Sequence, residues 1–454
     1  MLMNPLIFRE YDIRGVVDKD FDEEFAYHLG RAFAKMIVDR GGKKVCAGRD
    51  CRLSSPKLSE ALIKGMVESG LEVYNLGIIT TPMLYFSLFH LDADGGIQIS
   101  GSHNPPDQNG FKICVGKETI WGAQIQKLKE IIEKKDYPEG KGSAKDYDLH
   151  TPYIDYIAQD IKLAKPLKVV VDAGNGTAGP VAPKLIRRLG CEVIELYCEL
   201  DGHFPNHHPD PTIPENIKDL RETVVREKAD VGFGYDGDAD RIGVIDDRGE
   251  IIWGDVLMIL LSRALLKEVP GATIIGEVKC SHRMFNDIKA HGGNPIMWKA
   301  GHSLIKAKMK ETGAQLGGEM SGHIFYKHRW FGFDDAIYTS ARILEILSRT
   351  DKKLSELLSD VPPAYNTPEL RIPSSDEKKF EIVEKIKKHF IDQGYDVIDV
   401  DGMRLVFPDG WALVRASNTQ PMLVMRFEAD TPERLEEIRK MVEEVVNKYN
   451  QVDN

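Results

Sequence analysis

Apolar residues recur at helical spacing in Phe21, Phe25, Leu29, Phe33, Met36 and Ile37, which marks a helix with one buried face. A strand, KKVCAG, follows, and Ser55-Pro56 opens a second helix, since proline suits a first turn where its missing N–H is not needed. Next come a short strand LEVYNLG, a further helical stretch and the strand GGIQIS. The chain then breaks into the loop SGSHNP and returns as GFKICV. The order is βαβαββ.

The same order recurs twice. The second pass reads KVVVDA, a helix near Ala182 to Leu189, CEVIELY, a helix near Ile217 to Glu227, ADVGFGYDG, then RIGVIDDRGEII with a turn at Asp247 to Gly249. The third reads ATIIGEV, a helix, NPIMWKA, a helix near Ser303 to Thr312, AQLGGEMSG, then HIFYKH. In each pass the fourth apolar segment ends in the loop with the richest chemistry: SGSHNP, DGDADR and GEMSGH. Loops at strand ends are where open α/β sheets bind ligands. After Pro362-Pro363 the texture changes to a strand ELRIP, a helix from Asp376 to Phe390, a strand run from Val397 to Phe427 broken by turns, and a final helix. The expected fold class is therefore α/β, with three related α/β domains on mixed sheets and a C-terminal α+β domain. The domains are expected over residues 1–150, 151–250, 251–365 and 366–454.

A chain of 454 residues is too long for one hydrophobic core. An apolar fraction of 42% and a charged fraction of 29% are those of ordinary globular material. The net charge of −11 argues against a nucleic-acid or membrane-surface footprint but leaves room for a local basic pocket that takes a small anion. Six cysteines form no C-x-x-C pair and read as buried free thiols. The N-terminus has no basic start followed by an apolar core, and no apolar run reaches the length of a membrane span. A cytoplasmic enzyme is expected, with small molecules as its partners.

The segment DGDADR places carboxylates at Asp236, Asp238 and Asp240. On a flat strand they would stand about 6.5 to 7 Å apart, too far for one small ion. Gly237 and the small Ala239 let the backbone curl so that three hard oxygen ligands converge, as Mg²⁺ requires. Arg241 adjoins them and offsets their charge. An EF-hand beginning at Asp236 would need Gly at its sixth position and Glu at its twelfth, yet these are Arg241 and Asp247. The alternative is a solvated acidic turn.

In SGSHNPP the glycine before Ser102 permits close approach of another group, and His103 and Asn104 can donate to a phosphate. Lys112 on the return strand is placed to polarise an oxygen or take its proton. GEMSGH carries Glu319, Ser321 and His323 at alternate positions. The first two suit sugar hydroxyls, and the imidazole suits proton transfer near neutral pH. RASNTQP offers Arg415, Ser417, Asn418 and Thr419 as a phosphate cradle. Each of these loops alone also reads as an ordinary surface turn. A competing pattern is Gly174, Gly176 and Gly179 after KVVVDA with Glu195 beyond, the dinucleotide fingerprint. Against it, Asp172 would face the pyrophosphate, and Pro180 and Pro183 crowd the helix start.

Taken together, YDIRG at Tyr11 to Gly15, GRDCRLSS, SGSHNPPDQNGFK, DGDADR, EVKCS, GHS, GEMSGH and RASNTQP, in that order, resemble the α-D-phosphohexomutase family, most closely its phosphomannomutase/phosphoglucomutase branch. The resemblance implies four domains around a central cleft, with Ser102 as a phosphoserine whose phosphate joins Asp236, Asp238 and Asp240 around Mg²⁺. It implies that Arg14, Lys112 and His323, with Arg241, surround the reacting oxygen. Tyr11, His103, Lys279 and His302 would line the substrate site, Glu319 and Ser321 would hold sugar hydroxyls, and Arg415, Ser417, Asn418 and Thr419 would grip the distal phosphate. The implied reaction interconverts hexose 1-phosphate and hexose 6-phosphate, of mannose and glucose, through a hexose 1,6-bisphosphate. A phosphoglucosamine mutase and a non-catalytic sugar-phosphate binding protein are the alternatives. One departure is Ala239, where many relatives carry Gly.

Overall fold

The computed structural model describes residues 1–417 and 421–450. Contacts divide the chain into two compact units, Met1–Gly254 with Ser321–Leu357, and Asp255–Met320 with Leu358–Asn454.

In the first unit the amphipathic helix Glu23–Val38 starts where the Asp22 side chain accepts from the Phe25 N–H, and it buries Phe25, Leu29, Phe33 and Ile37. These side chains join Leu58, Leu62 and Met66 of the helix Ser55–Glu68 and Ile97, Ile99 and Phe111 of the sheet in one core. The strand Lys44–Arg49 lies parallel to Glu72–Ile78 on one side and to Gly95–Ile99 on the other. Gln108–Val115 returns antiparallel to Gly95–Ile99, so the SGSHNPP loop is the connection of an antiparallel pair at the sheet's end. Ile13–Val16 adds a strand the apolar pattern does not mark. It pairs antiparallel with Gln108–Val115 and sets Arg14 opposite Gly110.

A second sheet orders Ile251–Ile252, Ile242–Ile245, Val231–Tyr235, Lys168–Asp172 and Glu192–Leu196. Val231–Tyr235 is parallel to Lys168–Asp172 and antiparallel to Ile242–Ile245. The DGDADR loop therefore occupies the same topological position as SGSHNPP: both follow a buried strand whose partner runs back. The short strand Ile324–Tyr326 and the buried helix Ala336–Ser348 complete this unit.

In the second unit Thr273–Glu277 lies between parallel Asn294–Trp298 and Leu316–Gly318. An antiparallel sheet orders Tyr365–Asn366, Met422–Ala429, Gly410–Ala416, Met403–Phe407 and Asp396–Ile398, with Leu370–Pro373 also on Met422–Ala429. Its helices Lys379–Asp392 and Pro432–Tyr449 cover it through Ile386, Phe390, Val442 and Val446 against Leu405, Val414 and Phe427. Val278, Trp411 and Leu413 form one buried cluster, so strand ends of the two sheets share apolar packing. Among the described residues no helix is long and apolar enough to cross a membrane.

Candidate active site

In the first unit the two chemistry-rich loops meet. Ser102 Oγ donates to Asp236 Oδ2 at 2.8 Å and lies 3.1 Å from His103 Nδ1. Gly237 makes the approach possible: a Cβ there would stand 2.3 Å from the Ser102 carbonyl oxygen. Both loops carry a non-glycine residue in the left-handed region, Ser102 at φ 48° and Ala239 at φ 60°. Such conformations cost free energy for residues with a Cβ and persist where surrounding contacts fix them. The curl expected of DGDADR is thus made at Ala239, and its positive φ explains why glycine fits there.

Asp236, Asp238 and Asp240 are all buried, and one oxygen from each lies within 4.8 Å of the others. Asp238 Oδ2 accepts from Thr81 Oγ1 at 2.6 Å, Lys112 Nζ at 2.7 Å and Ser100 Oγ at 2.8 Å. Asp238 Oδ1, equally buried, has no hydrogen-bond partner among the described residues, an arrangement that leaves a strong acceptor for a cation. Burial, with Asp240 and Asp238 beside it, pushes the Asp236 carboxyl well above its ordinary range. Burial would raise Asp240 as well, but Lys112 and His323 outweigh it and hold that group well below. Three buried carboxylates that converge, with Asp238 Oδ1 left open, fit a divalent ion in hard oxygen ligands.

Burial pulls the Lys112 ammonium down, but Asp238, Asp240 and Asp236 overcome it and hold the group well above its ordinary value. Lys112 is therefore a fixed positive charge. An ammonium so placed can polarise an oxygen; taking a proton would require that it first lose one. His323 Nε2 lies 3.1 Å from Asp240 Oδ1 and 3.4 Å from Arg241 Nε, while its Nδ1 is 3.2 Å from Ser321 Oγ. Burial first, then Arg241 and Arg14, holds His103 well below the usual imidazole range. Arg14 forks onto Asp12, with Nε 3.0 Å from both carboxylate oxygens. Tyr11 stands half-buried just before this strand.

The second unit gathers a different set. Arg415 donates from Nε to Asp401 Oδ2 at 3.1 Å, and Asp401 Oδ2 also accepts from the Ala300 N–H at 3.2 Å. The next N–H, of Gly301, donates to Glu319 Oε1 at 2.7 Å. Thus Arg415, the 300–302 turn that begins the helix His302–Thr312, and Glu319 are joined by consecutive hydrogen bonds. Lys279 Nζ reaches Glu369 Oε2 at 3.5 Å. Burial opposes its charge, but Glu277 and Glu369 more than offset this and raise its pKa. The Ser417 N–H donates to the Met422 carbonyl at 3.0 Å. Asn418 and Thr419 lie outside the described residues. The GEMSGH motif spans both units, Glu319 in the second and Ser321 and His323 in the first.

Sequence reasoning missed Asp12, Thr81, Ser100, Glu369 and Asp401. Asp12 sat inside the quoted YDIRG and Ser100 opens the quoted SGSHNPP; Thr81, Glu369 and Asp401 carried no motif signal, because their roles arise from pairings with other segments. The fingerprint glycines have a packing explanation. A Cβ on Gly179 would lie 2.0 Å from the Cys198 carbonyl, and one on Gly176 2.8 Å from that of Gly237, so the turn is filled by protein backbone.

Four family sequence models match in order: phosphoglucomutase/phosphomannomutase alpha/beta/alpha domain I at residues 5–139, domain II at 151–249, domain III at 253–365, and the C-terminal domain at 369–445. The chain is 51% identical over 433 residues to a phosphomannomutase/phosphoglucomutase of Pseudomonas aeruginosa, covering 95% of this chain and 94% of that one. It is 46% identical over 444 residues to a phosphoglucomutase of Neisseria gonorrhoeae, covering 97% and 96%. A crystal structure of a phosphoglucomutase/phosphomannomutase family protein from Burkholderia thailandensis matches with a TM-score of 0.95 at 43% identity, covering 100% of this chain and 99% of that one. The fold is that of an enzyme, a phosphotransferase that acts as an isomerase. The chain belongs to the phosphoglucomutase/phosphomannomutase family, the α-D-phosphohexomutases.

Proposed function

We propose that this enzyme interconverts the 1- and 6-phosphates of glucose and mannose, with phosphorylated Ser102 as donor and acceptor and a hexose 1,6-bisphosphate as intermediate. The observation that carries the reading is the Ser102 hydroxyl 2.8 Å from Asp236 within a buried triad of carboxylates. Asp236, Asp238, Asp240 and the Ser102 phosphate would hold Mg²⁺, which when bound neutralises charge on a transferring phosphoryl group.

The protein's own groups divide the remaining work. A substrate hydroxyl oxygen forms a bond to the phosphorus of phosphoserine, the Ser102 Oγ–P bond breaks, and the hydroxyl proton must leave. Lys112, held as an ammonium, stabilises charge on the reacting oxygens. His323 takes the proton, its ring being buried and oriented between Ser321 and Asp240. Arg14 and Arg241 add fixed positive charge. Glu319 and Ser321 hold sugar hydroxyls, with Lys279, His302, His103 and Tyr11 as further contacts, and Arg415, Ser417, Asn418 and Thr419 hold the other phosphate. The bisphosphate must then turn end for end before it returns its second phosphate to Ser102.

The resemblance assigns Glu319 and Ser321 to the 3- and 4-hydroxyls, which glucose and mannose share, so these contacts do not separate the 2-epimers. Strong rejection would need a buried partner left unpaired by the wrong epimer, worth about 10⁴-fold or more. Glucosamine phosphate should be poorer, since Met320 offers no polar partner to an amino group. Parallel assays with glucose, mannose and glucosamine 1-phosphates test this. Comparable rates for the first two are expected, and a preference above about a hundredfold, near 2.7 kcal/mol, would contradict it. Binding of all three without turnover would make the protein a sugar-phosphate sensor instead.

A further inference from the structure

The motif GRDCRLSS lies outside the chemistry described above, yet Arg52 is fully buried, with a side-chain exposure of 0%. Its five N–H donors are all engaged. Nε donates to Asp50 Oδ2 at 3.1 Å. Nη1 donates to the carbonyls of Pro105 and, at 3.1 Å, Gln108, while Nη2 donates to those of Ser102 at 2.8 Å and Asn104 at 2.6 Å. Four carbonyls of one loop converge on a single guanidinium.

The loop's own sequence creates the need. Pro105 and Pro106 supply no N–H, so a turn that folds these carbonyls inward has few local donors to satisfy them. Buried carbonyls without donors are costly. Arg52 supplies the donors in a planar fork, which the ammonium of lysine cannot reproduce with three. The rest of the motif serves the same end. Asp50 balances the charge and accepts from the Gly101 N–H at 2.9 Å, and Asn109 donates to Ser54 and Ser55 at 2.9 Å each. Gly101 admits the guanidinium, since a Cβ there would lie 2.2 Å from Arg52 Nε. From the next sheet's connection, the Phe204 ring covers it, 5.0 Å from Cζ to centroid.

The Ser102 carbonyl stands between Arg52 Nη2 and the Gly237 backbone. Its residue holds φ 48°, a conformation that needs outside support. We infer that Arg52 is a positioning residue for phosphoryl transfer: it fixes the left-handed turn that aims Ser102 Oγ at Asp236 and touches neither substrate nor metal. The inference rests on the mutase reading for its kinetic consequence, and on geometry alone for its structural one.

The test uses the full-length enzyme carrying Arg52→Lys and, should that fold poorly, Phe204→Leu, which keeps the guanidinium and removes the ring over it. Two readouts are needed. Amide hydrogen exchange of residues 100–110 should quicken at least tenfold in Arg52→Lys, with the strand 44–49 unchanged. In turnover assays with glucose 1-phosphate, kcat should fall about a hundredfold, the scale of a small misplacement of reacting atoms, with KM within threefold. Phe204→Leu should move both in the same direction by about three- to tenfold. Unchanged exchange in the loop overturns the inference, as does a fall in kcat/KM carried by KM alone. Quickened exchange in a protein whose wild type shows no mutase turnover supports the positioning role and refutes the mutase reading instead.

Discussion

Ser102 Oγ and Asp236 Oδ2 stand 2.8 Å apart across 134 positions of sequence. The contact exists because Gly237 leaves space for the Ser102 carbonyl, where a Cβ would lie at 2.3 Å. The clash is with backbone, which has no side-chain freedom to give way. Gly237→Ala should therefore separate the two loops, cost about 2 to 3 kcal/mol of stability and reduce kcat at least a hundredfold. Thermal unfolding and turnover measured on one preparation check both.

Lys112 stands against Asp238 and Asp240 as the balancing charge of the triad. Removing one partner of a buried ionic cluster leaves uncompensated charge, at about 3 to 5 kcal/mol. Lys112→Met should lower the melting temperature of metal-free protein markedly, and Mg²⁺ should restore more of it than it adds to the wild type. The comparison is a thermal scan with chelator and with excess Mg²⁺. No Mg²⁺ shift in either protein would show that the triad does not bind the ion, and equal positive shifts would remove Lys112 as its balancing charge.

The apolar pattern carried the core of the fold because the helices and central strands bury one face with regular spacing: Glu23–Val38 and Lys44–Arg49 are where periodicity placed them. Ile13–Val16 was not legible, since four residues pairing with a strand about a hundred positions away leave no local period. The acidic triad, the serine loop and His323 were legible as residue types in glycine-rich loops. Thr81, which donates to Asp238, and Asp401, which holds Arg415 and the Ala300 N–H, were not, because a threonine at a helix start or an aspartate in a turn looks ordinary until another segment arrives. Lys112 shows a subtler gap: its position was readable, but its fixed charge follows only from the three carboxylates around it.

Arg415 is tied to Asp401, which also holds the turn before His302. Loss of a bidentate phosphate contact in Arg415→Ala should raise KM for glucose 1-phosphate about tenfold or more and increase release of the bisphosphate during turnover. Steady-state kinetics with trapping of free bisphosphate measure both. An unchanged KM with unchanged release would remove Arg415 from the phosphate cradle.

Glu428 gives a pH-dependent stability in the second unit. Burial opposes its charge, but the His282 ring nitrogen at 2.9 Å, Ser281 Oγ at 2.7 Å and Trp411 Nε1 at 2.9 Å overcome it and take its pKa from 4.5 to about 2. A depressed carboxylate stabilises the fold above its unfolded pKa, and that contribution is lost as pH falls from about 4.5 toward 2. Its full size is about 3 kcal/mol. Glu428→Gln should be destabilised at pH 7, and the gap to wild type should shrink as denaturation is repeated down to pH 3. A gap independent of pH would assign the effect to packing.

The central claim is that Ser102 carries the phosphoryl group. Incubation with glucose 1,6-bisphosphate and Mg²⁺, followed by intact-mass analysis and peptide mapping, should show one added phosphoryl group on Ser102 in the wild type and none in Ser102→Ala, with mutase turnover lost in the variant. A Ser102→Ala enzyme that retains wild-type turnover, or a phosphoryl group mapped to another residue, would contradict the account.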